Sequence, residues 1–423
     1  MGVFAKIYIQ NRLHELFYPH TKIPIPSHKP IFEMEHRMCH LKELSRDILA
    51  DIFVRTDGST LASAACACCE LHDVAREQSL WRQLCQATWP STALEEAQHV
   101  ISSSPIGGFD KFYANSYPLI LHAKGTKPMP FKCPELKTHV SPSELASLVD
   151  VYYRKECVLS KVLDGIPEAM NFSHAKDSEY NWNMNSNDCW RWYSNCPFKL
   201  ELLSLDYDEF TGFYNELSYA NNENDNHCHG HDANDEGRGF PSTSGVDDEN
   251  LRHDYSMELM ESLRLSWVLL DKKNGRSVNL SSWKPLLVQR TWPFHGVYLI
   301  HFGSIVAVEE SLLPHKLSKC IIIVRCKMTE GEGCPKWMEI SMQMEDLTGA
   351  SVSGSKGLMV LNHALNCLQS SNHLEVEQGF HQYEKKRRET MKKIQFRETL
   401  IDSFCVTIEI TVLVVFCYYF FIF

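Results

Sequence analysis

The chain has 423 residues, enough for two or three domains, and an ordinary hydrophobic content of 44%. A net charge of −11 argues against a general nucleic-acid binder, because no domain is basic enough to neutralise a run of phosphates. The 16 cysteines are spread over the whole chain and Met1–Pro30 lacks a signal-peptide apolar run, which argues against a secreted disulfide scaffold and for reduced thiols in the cytosol or nucleus.

Residues Met1–His40 are rich in His and Pro and read as an irregular lead-in. Gly2 invites a myristoylation check, but Lys6 stands where Ser or Thr is required. From Leu41 to Trp89 the pattern becomes helical. Leu44, Ile48, Leu49, Ile52 and Phe53 fall on one stripe of period 3.6. Thr56-Asp57-Gly58-Ser59 is a turn cluster in which Ser59 or Thr60 is expected to cap the next helix. That helix is expected to continue through Leu61, Ala64, Ala65, Cys68, Leu71 and Val74, and a third carries Leu80, Trp81 and Leu84. The thiols of Cys66, Cys68 and Cys69 fall on the second helix, where small buried residues would serve packing.

This stretch resembles the F-box, a short helical module that joins a protein to a Skp–cullin–F-box ubiquitin ligase. Leu44, Asp47, Ile48, Leu49, Ile52 and Phe53 match the opening of the family pattern, Cys68 matches its cysteine, and Leu80-Trp81 matches its closing pair. Ser45 replaces the family's proline and serves as a helix N-cap, while Leu71 replaces a tryptophan. The resemblance implies a surface for a Skp-type adaptor at Leu44, Ser45, Asp47, Ile48, Leu49, Ile52, Leu61 and Ala65, with cullin reached through the adaptor and Trp81 in the core of the bundle. The bare periodicity is also compatible with an amphipathic helical hairpin inside a larger core.

Residues 90–144 read as a linker with short helices. Pro90–Ser104 adds a helix broken at Pro105-Ile106-Gly107-Gly108, and Gly108–Tyr113 resembles the helical extension that often follows an F-box. Residues 145–370 read as a β-rich, sandwich-like domain that recruits substrate. Val149, Val151 and Tyr153 alternate, Asn274-Gly275 is a hairpin signal, and VYLIHF, SIVAVE, CIIIVRCKM and KWMEISMQMED are strand-like runs closed by a helix near Gly357–Ser370. The acidic, nearly apolar-free segment 219–254 is expected to be a disordered loop within it, and its His227-Cys228-His229-Gly230-His231 fits no structural zinc spacing. The aromatic cluster Trp182–Tyr193 is either core or recognition surface. Trp190-x-Trp192-Tyr193 with Pro197-Phe198, Ser266-Trp267-Val268 and Asn279-Leu280-Ser281-Ser282 resemble blocks of a plant group that includes the cytokinin-induced F-box protein.

A basic run, 384–398, precedes Ser403–Phe423, 21 residues with Glu409 as the only charge. That is long enough to cross a hydrocarbon core, and the basic flank keeps its side cytoplasmic. The expectation is a single-pass tail anchor with the bulk facing cytosol or nucleoplasm; a buried or interfacial terminal segment is the alternative. No catalytic motif stands out: GxSxG, HExxH, P-loop and dinucleotide fingerprints are absent from the sequence, and GASVSGSK at Gly349–Lys356 lacks Walker spacing. The fold expected is α+β: a helical F-box, a β-rich domain and a C-terminal apolar helix. The function expected is recruitment of an unknown protein substrate, without cofactor, metal or nucleic acid. Two other readings fit the same residues: a membrane-anchored adaptor-binding protein without ligase function, and a β-rich ligand-binding module with an accessory F-box.

Overall fold

A computed structural model describes residues 44–121, 141–166, 195–204, 254–291, 296–328 and 334–422. The lead-in Met1–His40, the cluster Trp182–Tyr193 and the acidic segment up to residue 253 lie outside them. The chain divides into two units, Met1–Leu49 and Ala50–Phe423, the first described only at residues 44–49.

The architecture is α+β, with N-terminal helices, a β-rich body and a long C-terminal helix. The helices are α1 (Arg46–Val54), α2 (Gly58–Ala64), α3 (Cys69–Ala75), α4 (Gln78–Thr88), α5 (Glu95–Ser102) and α6 (Phe109–Ser116), with a 3-10 turn at Pro90–Ala93. The second helix expected from the sequence is therefore two helices. Residues between Ala64 and Cys69 form a turn, and Cys66, Cys68 and Cys69 are exposed, so their expected packing role is corrected. The cap of α2 is Asp57 and not Ser59 or Thr60. Its carboxylate accepts from the Thr60 N–H at 2.7 Å, because the helix begins at Gly58, two or three residues earlier than those caps would place it.

Among the described residues, eleven strands form two sheets. They are β1 (Leu119–Ile120), β2 (Leu145–Tyr153), β3 (Glu156–Asp164), β4 (Lys199–Ser204), β5 (Leu263–Asp271), β6 (Arg276–Asn279), β7 (Leu287–Arg290), β8 (Val297–Ala307), β9 (Leu317–Lys327), β10 (Lys336–Asp346) and β11 (Gln369–Ser370). One sheet runs β11-β1-β6-β5-β2-β3 and the other β4-β10-β9-β8-β7. A single core joins them: Val149, Val151, Leu265, Trp267 and Leu269 from the first sheet cluster with Tyr298, Ile300, Phe302, Ile322, Val324, Ile340 and Met342 from the second. Leu200 and Leu202 of β4 share that core, so strands from both sides of the acidic segment build one body. Two helices complete it, α7 (Ser256–Ser262) and α8 (Gly354–Ala364), the latter burying Leu358, Val360, Leu361 and Ala364.

Three local features depart from the pattern read in the sequence. The runs VYLIHF and SIVAVE are one strand, β8, continuous through Gly303 opposite Ile321. A β-carbon at Gly303 would meet the Cys320 carbonyl oxygen at 1.9 Å, so glycine here permits close pairing where the sequence suggests a break. The β2–β3 hairpin turns on Arg154 and Lys155 with φ of 50° and 72°, a left-handed pair usually given to Asn-Gly. Strand β2 is buried at every position, because elements cover both of its faces.

The chain ends in α9 (His373–Ile422), a continuous helix of 50 residues. Its first turns pack through Val376, Phe380 and Tyr383 against Leu119, Ile305, Leu317 and Leu347. Lys319 pairs with Glu384 at 3.1 Å. Beyond Arg387, which approaches Glu345 at 3.8 Å, the helix projects with its apolar face exposed.

Candidate adaptor-binding site

Helix α1 is started by Ser45, whose hydroxyl accepts from the Ile48 N–H at 3.4 Å and whose carbonyl accepts from Leu49 N–H at 3.1 Å. Asp47 in the first turn is exposed and complements the helix dipole. Leu44, Ile48 and Ile52 recur at four-residue spacing and are 38%, 49% and 45% exposed; Val54, not singled out in the sequence, is 46% exposed. Isoleucines left this open on a helix are costly in water and favourable in an interface, about 1.5–3 kcal/mol for each side chain fully buried.

The eight candidate residues separate by burial. Leu44, Ser45, Asp47, Ile48 and Ile52 are exposed, Ala65 is half-buried at the end of α2, and Leu49 and Leu61 are buried. Periodicity alone groups these positions, because a stripe as broad as this one covers both a core-facing and an open edge. The Arg55–Asp51 pair, at 3.1 Å and largely exposed, adds little.

Aromatic packing holds the helices that follow α1. Trp81 is buried and its indole N–H donates to the Ala75 carbonyl at 2.7 Å. Its ring lies 5.5 Å from that of Tyr113, and Trp89 meets Phe112 edge-on at 5.5 Å. Burial pushes the Tyr113 phenol far above its ordinary range, so it stays neutral. Gln78 accepts from the Phe109 N–H and donates to Asp110, both at 2.8 Å, tying α4 to α6.

This bundle is in turn fastened to the β-rich body. Asp150 of β2 accepts from the Ser91 N–H at 2.8 Å and the Ser91 hydroxyl at 2.6 Å. Tyr152 donates to the Thr88 carbonyl, and Ser116 donates to Ser277 at 2.9 Å. The stretch read as a linker thus carries a buried face, with Ile101, Ile106, Phe109 and Phe112 inside, and contributes β1 to the six-stranded sheet. Among the described residues no group of His, Cys, Asp or Glu is placed to hold a metal ion.

Comparison with known proteins agrees with this arrangement. The F-box-like family matches residues 46–87, which cover α1 through nearly all of α4. Over most of its length the chain is similar to F-box proteins of Arabidopsis thaliana. It is 26% identical to F-box protein At3g44326, covering 90% of this chain and 91% of that protein. It is 27% identical to F-box protein At2g27310, covering 85% and 88%. It is 24% identical to Probable F-box protein At2g36090, covering 88% and 90%. No solved structure matches. The match and the relatives support a plant-type F-box protein, a class whose members act in general as non-catalytic adaptor subunits.

Proposed function

We propose that the chain is the substrate-recruiting subunit of a Skp–cullin–F-box ubiquitin ligase, held at a membrane by α9. The observation that carries the ligase part is the exposed apolar row Leu44, Ile48 and Ile52 at the head of an F-box-like segment. A Skp-type adaptor covers this row and reaches cullin; Leu49 and Leu61 act as core that keeps the presenting helices in shape. Recruitment works by effective concentration, holding a substrate lysine near a charged conjugating enzyme. A bundle fastened to the β-rich body supports this, since a fixed spacing preserves that concentration where a loose linker would dilute it.

The membrane part rests on α9, the one described helix long and apolar enough to cross a bilayer, whose apolar stretch is unburied. The basic run Lys385–Arg397 marks the cytosolic side. Kinship with the cytokinin-induced group belongs to the same reading, but its shared blocks speak of fold. Asn279 donates to Ser266 at 3.2 Å and accepts from the N–H of Trp267 and of Ser281 at 3.3 and 3.0 Å, all buried. Such a network fixes the end of the β5–β6 pairing.

Affinity purification of the full chain and of a variant lacking residues 44–88 tests the reading. Cullin should accompany the first and not the second. Cullin absent from both, with the adaptor still bound by the full chain, favours adaptor binding without ligase function.

A further inference from the structure

Glu409 is the only charged residue between Ser403 and Phe423, and it is exposed on α9 with the apolar residues around it. It lies six residues past Ser403, roughly 9 Å along the helix, too deep for a short carboxylate side chain to reach back to water. Carboxylates inside a span almost always face another helix and pair there. At about 100° per residue, Glu398, Asp402 and Glu409 fall on one side of α9, within about 40° of one another. Val406, Leu413 and Phe416 flank Glu409 on that side, between 53% and 66% exposed. The cations of α9 nearest to Glu409, Lys393 and Arg397, lie on other faces, and Arg387, which shares this side, stands about six turns away beside Glu345.

We propose, resting on the membrane reading of α9, that this side docks a transmembrane helix of another protein that carries a lysine or arginine at matching depth, and that such proteins are the substrate class. The charge pattern selects this occupant. A second copy packed in parallel would set three carboxylates against three carboxylates, whereas a cationic helix satisfies Glu409 in the bilayer and meets Asp402 and Glu398 at its aqueous end. The apolar flanks supply packing, and the carboxylate supplies depth and specificity. A ligase subunit built this way selects its substrate within the membrane and presents lysines of the cytosolic portion to the conjugating enzyme.

The full-length protein is reconstituted in phosphatidylcholine vesicles and first washed with alkaline carbonate. It is then titrated with labelled leucine-rich spanning peptides carrying lysine about 9 Å below the cytosolic interface, lysine at the bilayer centre, or leucine only, and association is read by energy transfer. The matched-depth peptide should bind at least tenfold more tightly than the other two. Glu409→Leu and Glu409→Gln should remove that preference, while Glu409→Asp retains part of it. Equal binding of all three peptides, or a homodimer that Glu409→Leu abolishes, overturns the proposal and leaves the membrane reading standing. Extraction of the protein by carbonate overturns both.

Discussion

The carboxylate of Asp150, at the centre of β2, accepts two hydrogen bonds from Ser91, one from its backbone N–H at 2.8 Å and one from its hydroxyl at 2.6 Å, and both residues are fully buried. A third donor, the Ser160 hydroxyl, reaches the same carboxylate at 2.5 Å. This joint fastens the turn after the F-box helices to the sheet. Asp150→Ala strands the Ser91 donors in a dry interior and should cost about 2–4 kcal/mol. Urea unfolding measures the loss. A cost below about 1 kcal/mol would show that water reaches the joint.

The same joint gives stability a defined pH dependence. Burial raises the Asp150 carboxyl above its ordinary range, against the lowering effect of the Ser160 and Ser91 hydrogen bonds. A raised carboxyl contributes stability that is fully present below its unfolded value and is lost as pH rises through the folded one. The donors from Ser91 and Ser160 favour the ionised form over the protonated one, so what they contribute grows as the group ionises. Removing one of them, in Ser160→Ala, should cost more at pH 7 than at pH 4, about 1–2 kcal/mol against less than about 1. Equal costs at both values would mean that Asp150 stays protonated throughout.

Gly275 closes the β5–β6 hairpin with φ of 64°, and a β-carbon there would sit 1.6 Å from the Pro105 carbonyl oxygen. The obstacle is backbone, which cannot swing aside. Gly275→Ala should destabilise by about 2–4 kcal/mol, combining left-handed strain with displacement of the Pro105 turn. Thermal unfolding checks it; a variant as stable as the parent would show that the hairpin and the Pro105 turn separate easily.

Truncation before Leu400 should convert a membrane-pelleting protein into one that stays in the supernatant, since no other described helix is long and apolar enough to span. Glu409→Leu should strengthen insertion, by removing the one charged group of the span, a kind of group whose cost reaches about 2–3 kcal/mol at a helix centre. Carbonate resistance of full chain, truncation and point variant measures both effects. A full-length protein that stays in the supernatant contradicts the membrane reading.

Much of this architecture was legible in the residues. Leu44 to Phe53 carry a helical period, β2 carries alternating β-branched and aromatic residues, and Asn274-Gly275 lies in the turn that joins β5 to β6. What was not legible depends on partners distant in sequence. Arg154 and Lys155 lack the usual turn chemistry, and the turn they make is braced by Arg154 against Glu258, at 2.5 Å, on another element. Gly303 looks like a break until Cys320 is brought beside it. Ser91 and Asp150 carry no local signal of their joint, 59 positions apart. At the candidate adaptor site the stripe was visible but its two edges were not, because period 3.6 places Leu49 and Ile48 in one group while burial separates them.

Adaptor binding by Leu44→Ala/Ile48→Ala in the full chain decides whether the open row on α1 is an adaptor surface. Both side chains are exposed, so the double variant should fold as the parent does, whereas Leu61→Ala, in the core, should lower the melting temperature. Affinity for a purified Skp-type adaptor should fall by about 2–5 kcal/mol, enough to abolish a pull-down. Undiminished adaptor binding by a folded double variant would contradict the F-box reading of this surface.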